Sequence, residues 1–278
     1  MRYNATAETI DKVDVAPKSL FLAFLGMHLL WKPIAISGAS IVELFGWMDV
    51  GPSATRSLLA RMTDRGLLER HKLGRKTYYA LTSHGTSVFE EGSKKIWRSA
   101  GDADWDGLWT TVVMSVPEGS RHLRHRARSR LTWAGFGNTA SGLWVASRRH
   151  DVAAILGPEF ADIDLTVMVG RVIPPTTDEG LVTSAFDLDE IAARYTGFMS
   201  RWQNDETSGS SREHAFATRI RVQAEWLSIT QADPLLPVTL LPDDWPAGDA
   251  ERLFRILDAT LDRASIGIEA DGLDSITL

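Results

Sequence analysis

A chain of 278 residues, 44% apolar and 24% charged, holds enough material for about two or three packed domains and is too apolar for wholesale disorder. Cysteine is absent, which excludes a disulfide framework, a thiolate nucleophile and a thiolate zinc site. The net charge of −6 conceals a split: residues 1–150 hold 21 Lys and Arg against 13 Asp and Glu, and residues 151–278 hold 9 against 23.

Residues 1–16 are polar and aperiodic and read as a loose arm. From Lys18, the positions Leu20, Phe21, Phe24, Leu25, His28 and Leu29 recur at helical spacing until Pro33 stops them. The surrounding apolar run is too short to span a bilayer and follows no basic leader, so a cytoplasmic protein is expected, with no membrane partner. Ser37 or Ser40 caps a second helix built on Ile41, Leu44 and Phe45, and Gly51 and Pro52 make a turn.

The stretch "TRSLLARMTDRGLLERHKLGRKTYYALTSHG", Thr55 to Gly85, is strongly basic within an acidic chain. Ser53 is expected to cap a third helix that runs to Arg65 and ends at Gly66. Leu58, Leu59 and Met62 share its inner face, whereas Ser53, Arg56, Ser57 and Ala60 face outward with Arg61 on the flank. Small side chains permit close approach to a groove, and arginine reaches phosphates or guanine edges. A β-hairpin follows, with a four-residue tip at Lys72, Leu73, Gly74 and Arg75, and Lys76 adds to its positive charge. Tyr78 and Tyr79 point to opposite faces, one of them onto the core. A helix over Ser83–Arg98, carrying Val88, Ile96 and Trp97, closes a winged helix-turn-helix across residues 17–99, with Ser53, Thr55, Arg56, Ser57, Arg61, Lys72, Arg75 and Lys76 as its DNA-binding residues.

"GDADWDG", residues 101–107, reads as a charged linker. The next block runs strand "LWTTVVMSV" to Pro117, arginine-rich helix Ser120–Trp133, turn "GFGNTASG", strand "LWVASR", short helix Asp151–Leu156 and strand "DLTVMVGRV", with room for one more strand near Gly135 to Asn138. That order predicts a ferredoxin-like dimerisation or coupling domain over residues 106–175. From Ala185 the pattern is helical: Leu188, Ile191, Ala192, Tyr195, Phe198, Met199 and Trp202, then a polar loop "NDETSGSS", a helix over Arg212–Thr230, a proline-broken stretch "DPLLPVTLLPDDWP" and a last helix over Gly248–Ala264. The fold class is α+β, with a helical C-terminal domain over residues 185–270.

No phosphate loop, paired-His metal helix or nucleophile elbow occurs, so no catalytic residue, metal site or cofactor is expected and the protein reads as a non-enzyme. His122 and His125 sit three apart on the arginine-rich helix, where neighbouring positive charge repels a cation. Asp102, Asp104 and Asp106 alternate like calcium-loop ligands but lack the downstream glutamate of that loop.

The Thr55–Gly85 stretch together with "EEGSKKIW" resembles the winged-helix region of the PaaX family, bacterial repressors typified by the regulator of phenylacetic acid catabolism. Arg56, Arg61, Gly66 and "GRKTYY" carry the match. "WDGLWTTVVMSVPE", "RSRLTWAGFG" and "GLWVAS" resemble the family's Cas2-like middle domain, and "DPLLPVTLLPDDWP" its C-terminal signature. The resemblance implies a homodimeric repressor that binds double-stranded operator DNA and is released by an aryl-acyl-CoA or related aromatic intermediate. Arg124 and Arg128 are candidates for the effector's anionic groups, with extra DNA contact by the same helix as the competing account, and Tyr195, Trp202 and Trp226 are candidates for its ring, although each such aromatic is more often core. A Cas2-like metal-dependent nuclease with an appended winged helix is the alternative; Ser115 stands where such nucleases place a metal-binding aspartate.

Overall fold

The computed structural model describes residues 15–96, 105–116, 118–161, 163–203, 211–266, 268 and 273–278. The expected N-terminal arm up to residue 14, the helix end at Trp97 and Arg98, Asp102, Asp104, Pro117 and nearly all of "NDETSGSS" lie outside them. In chain order the elements are α1 (Pro17–His28), β1 (Ile34–Ser37), α2 (Gly38–Gly46), α3 (Pro52–Asp64), β2 (Leu68–Leu73), β3 (Lys76–Leu81) and α4 (Ser83–Ile96). There follow β4 (Trp109–Ser115), α5 (Arg121–Trp133), β5 (Gly137–Asn138), β6 (Trp144–Ala146), α6 (Val152–Leu156), β7 (Asp164–Gly170) and α7 (Asp178–Ala185). The chain continues through α8 (Leu188–Trp202), α9 (Arg212–Ala232), α10 (Ala247–Ala264) and β8 (Ser275–Thr277). None of the described helices is long and apolar enough to cross a membrane.

Contacts divide the chain into two compact units that do not follow its linear order. The first takes residues up to 93, 207–227 and 257–278; the second takes 94–206 and 228–256. A stretch expected to form a separate C-terminal helical domain is therefore shared between both.

In the first unit Phe21, Phe24 and Phe45 are fully buried and their rings meet, 5.2 Å between the centroids of Phe21 and Phe45 and 5.5 Å between Phe24 and Phe45. Each buried ring contributes about 1.5–3 kcal/mol relative to exposure. Phe216, Ala217, Ile220 and Ala224 of α9 complete this core. The α9 segment is held to α10 by Arg219, whose Nε donates to Asp258 at 2.8 Å and whose Nη1 reaches Asp262. The accompanying four-stranded sheet has the order β2-β3-β1-β8, antiparallel throughout. Neither β1 nor β8 was expected from the sequence.

The second unit holds a sheet of order β5-β6-β4-β7, every neighbour antiparallel. With α5 and α6 as crossovers, this is the split βαβ arrangement of the ferredoxin-like fold, and β5 fills the place left for a strand near Gly135. Val112, Ala127, Leu131 and Phe136 join sheet to α5. Trp109 is buried and donates its indole N–H to Asp178 at 2.8 Å, fixing α7, a helix the sequence reading missed, against β4.

Candidate functional site

The turn between α2 and α3 is closed by two amides: Met48 N–H donates to Phe45 O at 3.1 Å and Val50 N–H to the same carbonyl at 3.0 Å. Both apolar side chains are buried, which fixes the angle of the helix pair. The third helix begins two residues earlier than expected, with Gly51 as N-cap and Pro52 in the first position, where its missing N–H is no loss. Ser53 is thus an exposed first-turn residue and caps nothing. At the other end Gly66, with φ of 69°, allows its N–H to reach Thr63 O and the Leu67 N–H to reach Met62 O, which turns the chain directly into β2.

The two faces of α3 separate cleanly. Leu58, Leu59 and Met62 are buried, and Ser53, Arg56, Ser57 and Arg61 are exposed. Thr55 corrects the expected contact set: it is fully buried and its hydroxyl donates to Gly51 O at 3.3 Å. At 100° per residue it lies about 60° from Leu58, inside the apolar stripe, so it supports the helix instead of reading a partner.

The hairpin is tighter than expected. Leu73 pairs with Lys76, leaving a two-residue turn of Gly74 and Arg75, with Gly74 at φ of 60° as such turns require at their first central position. Alternation puts Arg70 and Lys72 on the sheet face that carries Leu68, Tyr79 and Leu81 toward the helical core. Lys76 and Tyr78 lie on the opposite face, where Tyr78 packs with Ala35, Ala80 and Ile276. Both tyrosines are therefore packed, one on each side. The side chains of Arg56, Arg61, Lys72 and Arg75 make no hydrogen bond or ion pair with a described residue. Lys76 differs, since its Nζ donates to Asp274 Oδ2 at 2.9 Å. Exposed Arg65 and Arg70, outside the expected set, enlarge the basic surface.

The arginine-rich helix α5 uses much of its charge internally. Arg126 and Arg130 both pair with Glu159, the latter at 2.6 Å, and Arg124 donates to Val116 O at 2.9 Å. Arg128 has no ion pair with a described residue and lines a cavity of about 320 Å³ in the second unit. Its walls include the rings of Phe136, Trp144 and Phe186, the carboxylates of Asp187 and Glu190, and Arg194, which donates to Glu190 at 2.5 Å. Ala232 and Pro234 close one side. Arg124, Tyr195, Trp202 and Trp226 do not line it, and the three aromatics are buried. The Tyr195 hydroxyl is engaged by Asp233. Of the five expected ligand contacts, Arg128 alone lines this cavity.

Among the described residues no three His, Asp or Glu side chains come together as a metal site. His122 and His125 are exposed on α5, and Asp106 accepts from Leu108 N–H at 3.0 Å in a local turn. Ser115 ends β4 opposite Asp164 of β7.

Three family models match in succession: "PaaX-like protein" over residues 16–85, "PaaX protein central Cas2-like domain" over 102–182 and "PaaX-like protein C-terminal domain" over 186–268. The chain belongs to the PaaX family. The transcriptional repressor PaaX of Escherichia coli (strain K12) is 25% identical over 257 residues, covering 88% of this chain and 80% of that protein. The uncharacterized protein Rv0674 of Mycobacterium tuberculosis shares the fold, with a TM-score of 0.55, 18% identity, and coverage of 90% of this chain and 97% of that one. The Cas2-like PaaX domain coincides with the β5-β6-β4-β7 sheet and its helices.

Proposed function

We propose that this PaaX-family protein is a cytoplasmic transcriptional repressor that binds double-stranded operator DNA as a homodimer and lets go when a small anionic aromatic effector binds. The observation that carries the reading is the exposed face of α3, with Arg56 and Arg61, followed directly in the chain by the hairpin that carries exposed Lys72 and Arg75. The arrangement supports a winged helix-turn-helix reading, in which Ser53, Arg56, Ser57 and Arg61 approach base edges and flanking phosphates while Lys72 and Arg75 hold the backbone. Lys76 is left out because Asp274 already holds its ammonium.

The effector reading rests on the cavity beside Arg128. Its aromatic walls suit an aryl group and its arginine an anion, which is the chemistry of an aromatic acid or of its CoA thioester. The same α9 that supplies Ala232 to this cavity supplies Phe216 to the core beneath α2, where its ring lies 5.9 Å from that of Trp47. A ligand that favours one placement of α9 then acts on operator affinity, provided it binds the two states unequally.

The second copy is proposed to sit on the edge strand β7, where Met168 is 55% exposed on the same sheet face as Val113 of the neighbouring β4, which is 49% exposed. An unpaired strand edge with apolar neighbours is a template for pairing.

Mapping bound fragments of the source genome, followed by binding of purified protein to the recovered promoters against scrambled duplex, tests the reading. Preference for specific fragments is expected; equal affinity for scrambled DNA refutes it. Titrating aryl-acyl-CoA and the free acid into the operator complex then tests release, which Arg128→Ala should abolish without weakening operator binding.

A further inference from the structure

The carboxyl-side strand β8 joins the edge of the sheet that carries the hairpin, with Ile34 opposite Thr277, Ala35 opposite Ile276 and Ile36 opposite Ser275. Asp274, immediately before it, touches two parts of the DNA-facing unit at once. Its carboxylate accepts from Lys76 Nζ at 2.9 Å and from the Tyr78 hydroxyl at 3.1 Å, both on β3. Its backbone N–H donates to Ser40 Oγ at 3.1 Å, and its carbonyl accepts from Ser37 N–H at 2.8 Å. Ser37 is the N-cap of α2, its Oγ accepting from Ser40 N–H at 3.1 Å. One residue therefore bridges the hairpin to the entrance of the helix pair, some two hundred positions away in sequence.

Two groups that must meet one duplex together need a fixed relative placement, because misplacement of either loses the entropic advantage of simultaneous contact. The hairpin is anchored on one side by Tyr79 and Leu81 against the helical core and on the other by Tyr78 under Ile276. Asp274 ties that second side to α2.

We infer that Asp274 is a positioning residue for DNA binding: with Lys76 and Tyr78 it sets the wing at the angle to α2 and α3 at which Lys72 and Arg75 reach phosphates. Lys76 then serves the wing's geometry, facing away from Lys72, and is not itself a phosphate ligand. The Lys76 hydrogen bond, the largest cause, holds the Asp274 carboxyl below its usual value and so favours the carboxylate, which agrees with a persistent pair. The inference rests on the DNA-binding reading above, and its test separates the two.

Operator binding by the full chain is followed across a salt series for wild type, Asp274→Asn, Lys76→Met and their combination, each also with Arg75→Ala. Asp274→Asn and Lys76→Met should each weaken operator binding about fivefold, with the combination no worse than either. Arg75→Ala should flatten the log–log salt slope by about 0.9 per subunit in the wild-type background and by clearly less in Asp274→Asn. Tyr78→Phe, which removes one hydrogen bond and leaves the charges in place, should act in the same direction more weakly. Tighter binding by Asp274→Asn would mean that the freed lysine grips phosphate, and overturns the inference. So does an equal Arg75→Ala effect in both backgrounds. No Arg75→Ala effect in the wild type removes the wing from DNA and fails the underlying reading itself.

Discussion

The Tyr195 hydroxyl donates to the Asp233 carboxylate at 2.5 Å, and the other oxygen of that carboxylate accepts from Leu235 N–H at 2.7 Å. Asp233 opens the "DPLLP" stretch and holds Leu235 at φ of 56°, a conformation unfavourable for a branched side chain. The stretch is thus fastened to α8 by a buried polar staple. Asp233→Ala should lower unfolding stability by about 3 kcal/mol and Tyr195→Phe by about 1 kcal/mol, read from urea midpoints. Burial, with Asp233 second, pushes the Tyr195 hydroxyl far above its ordinary 10.0. A raised folded value gives stability that is complete below the unfolded value, so wild type should lose stability as pH climbs beyond 10 and Tyr195→Phe should lose less.

Replacing Arg56 and Lys72 should have opposite signatures. Arg56→Ala should relax base preference at one operator position by about 1–3 kcal/mol, measured with a panel of single-base variants. Lys72→Ala should weaken all duplexes alike and flatten the salt slope by about 0.9 per subunit.

Gly85 sits in the first turn of α4 against the backbone of Leu67, and a Cβ there would lie 2.2 Å from Leu67 O. Thr82 caps this turn, its Oγ1 accepting from Gly85 N–H at 2.9 Å. Gly85→Ala should therefore destabilise the first unit by about 2 kcal/mol, seen as a lower thermal midpoint, whereas Gly46→Ala, which meets nothing within 4 Å, should be tolerated.

If a second copy pairs at β7, Met168→Lys should shift the protein toward monomer in sedimentation velocity while leaving its circular dichroism unchanged. Unchanged mass would place the dimer contact elsewhere.

The pairing of Lys76 with Asp274 also has a pH window. The Lys76 hydrogen bond holds the Asp274 carboxyl below its usual 3.8, and the Asp274 hydrogen bond raises Lys76 above 10.5. The carboxyl's contribution is present above 3.8 and fades as pH falls through the lower folded value; the ammonium's is present below 10.5 and fades as pH rises through the raised one. Amide exchange of Ser275 to Thr277, corrected for intrinsic rate, should show constant protection between those limits and lose it on the acid side first in Tyr78→Phe.

What could be read from the chain alone was whatever is encoded locally. The stripe of Leu58, Leu59 and Met62, the stop at Gly66 and the alternation around Gly74 are short-range signals, and α3 and its hairpin follow from them. The ferredoxin-like order was legible because strand and helix periods alternate there. Thr55 was within reach too, since its angle on the helical wheel puts it beside Leu58. By contrast β1 and β8 are four and three residues long and gain their hydrogen bonds from partners far away in sequence, so no local pattern announces them. Asp274 escaped for the same reason. Tyr195, Trp202 and Trp226 were ambiguous because an aromatic at helical spacing looks the same in a core and in a pocket wall.

The weaving of residues 257–278 into the first unit bears on synthesis. A ribosome delivers α1 to α4 long before β8, and until then the outer edge of β1 and the underside of Tyr78 have no cover. An N-terminal fragment cut near residue 93 would keep every side chain proposed to meet DNA yet expose a raw strand edge and the apolar bed of α9, inviting aggregation.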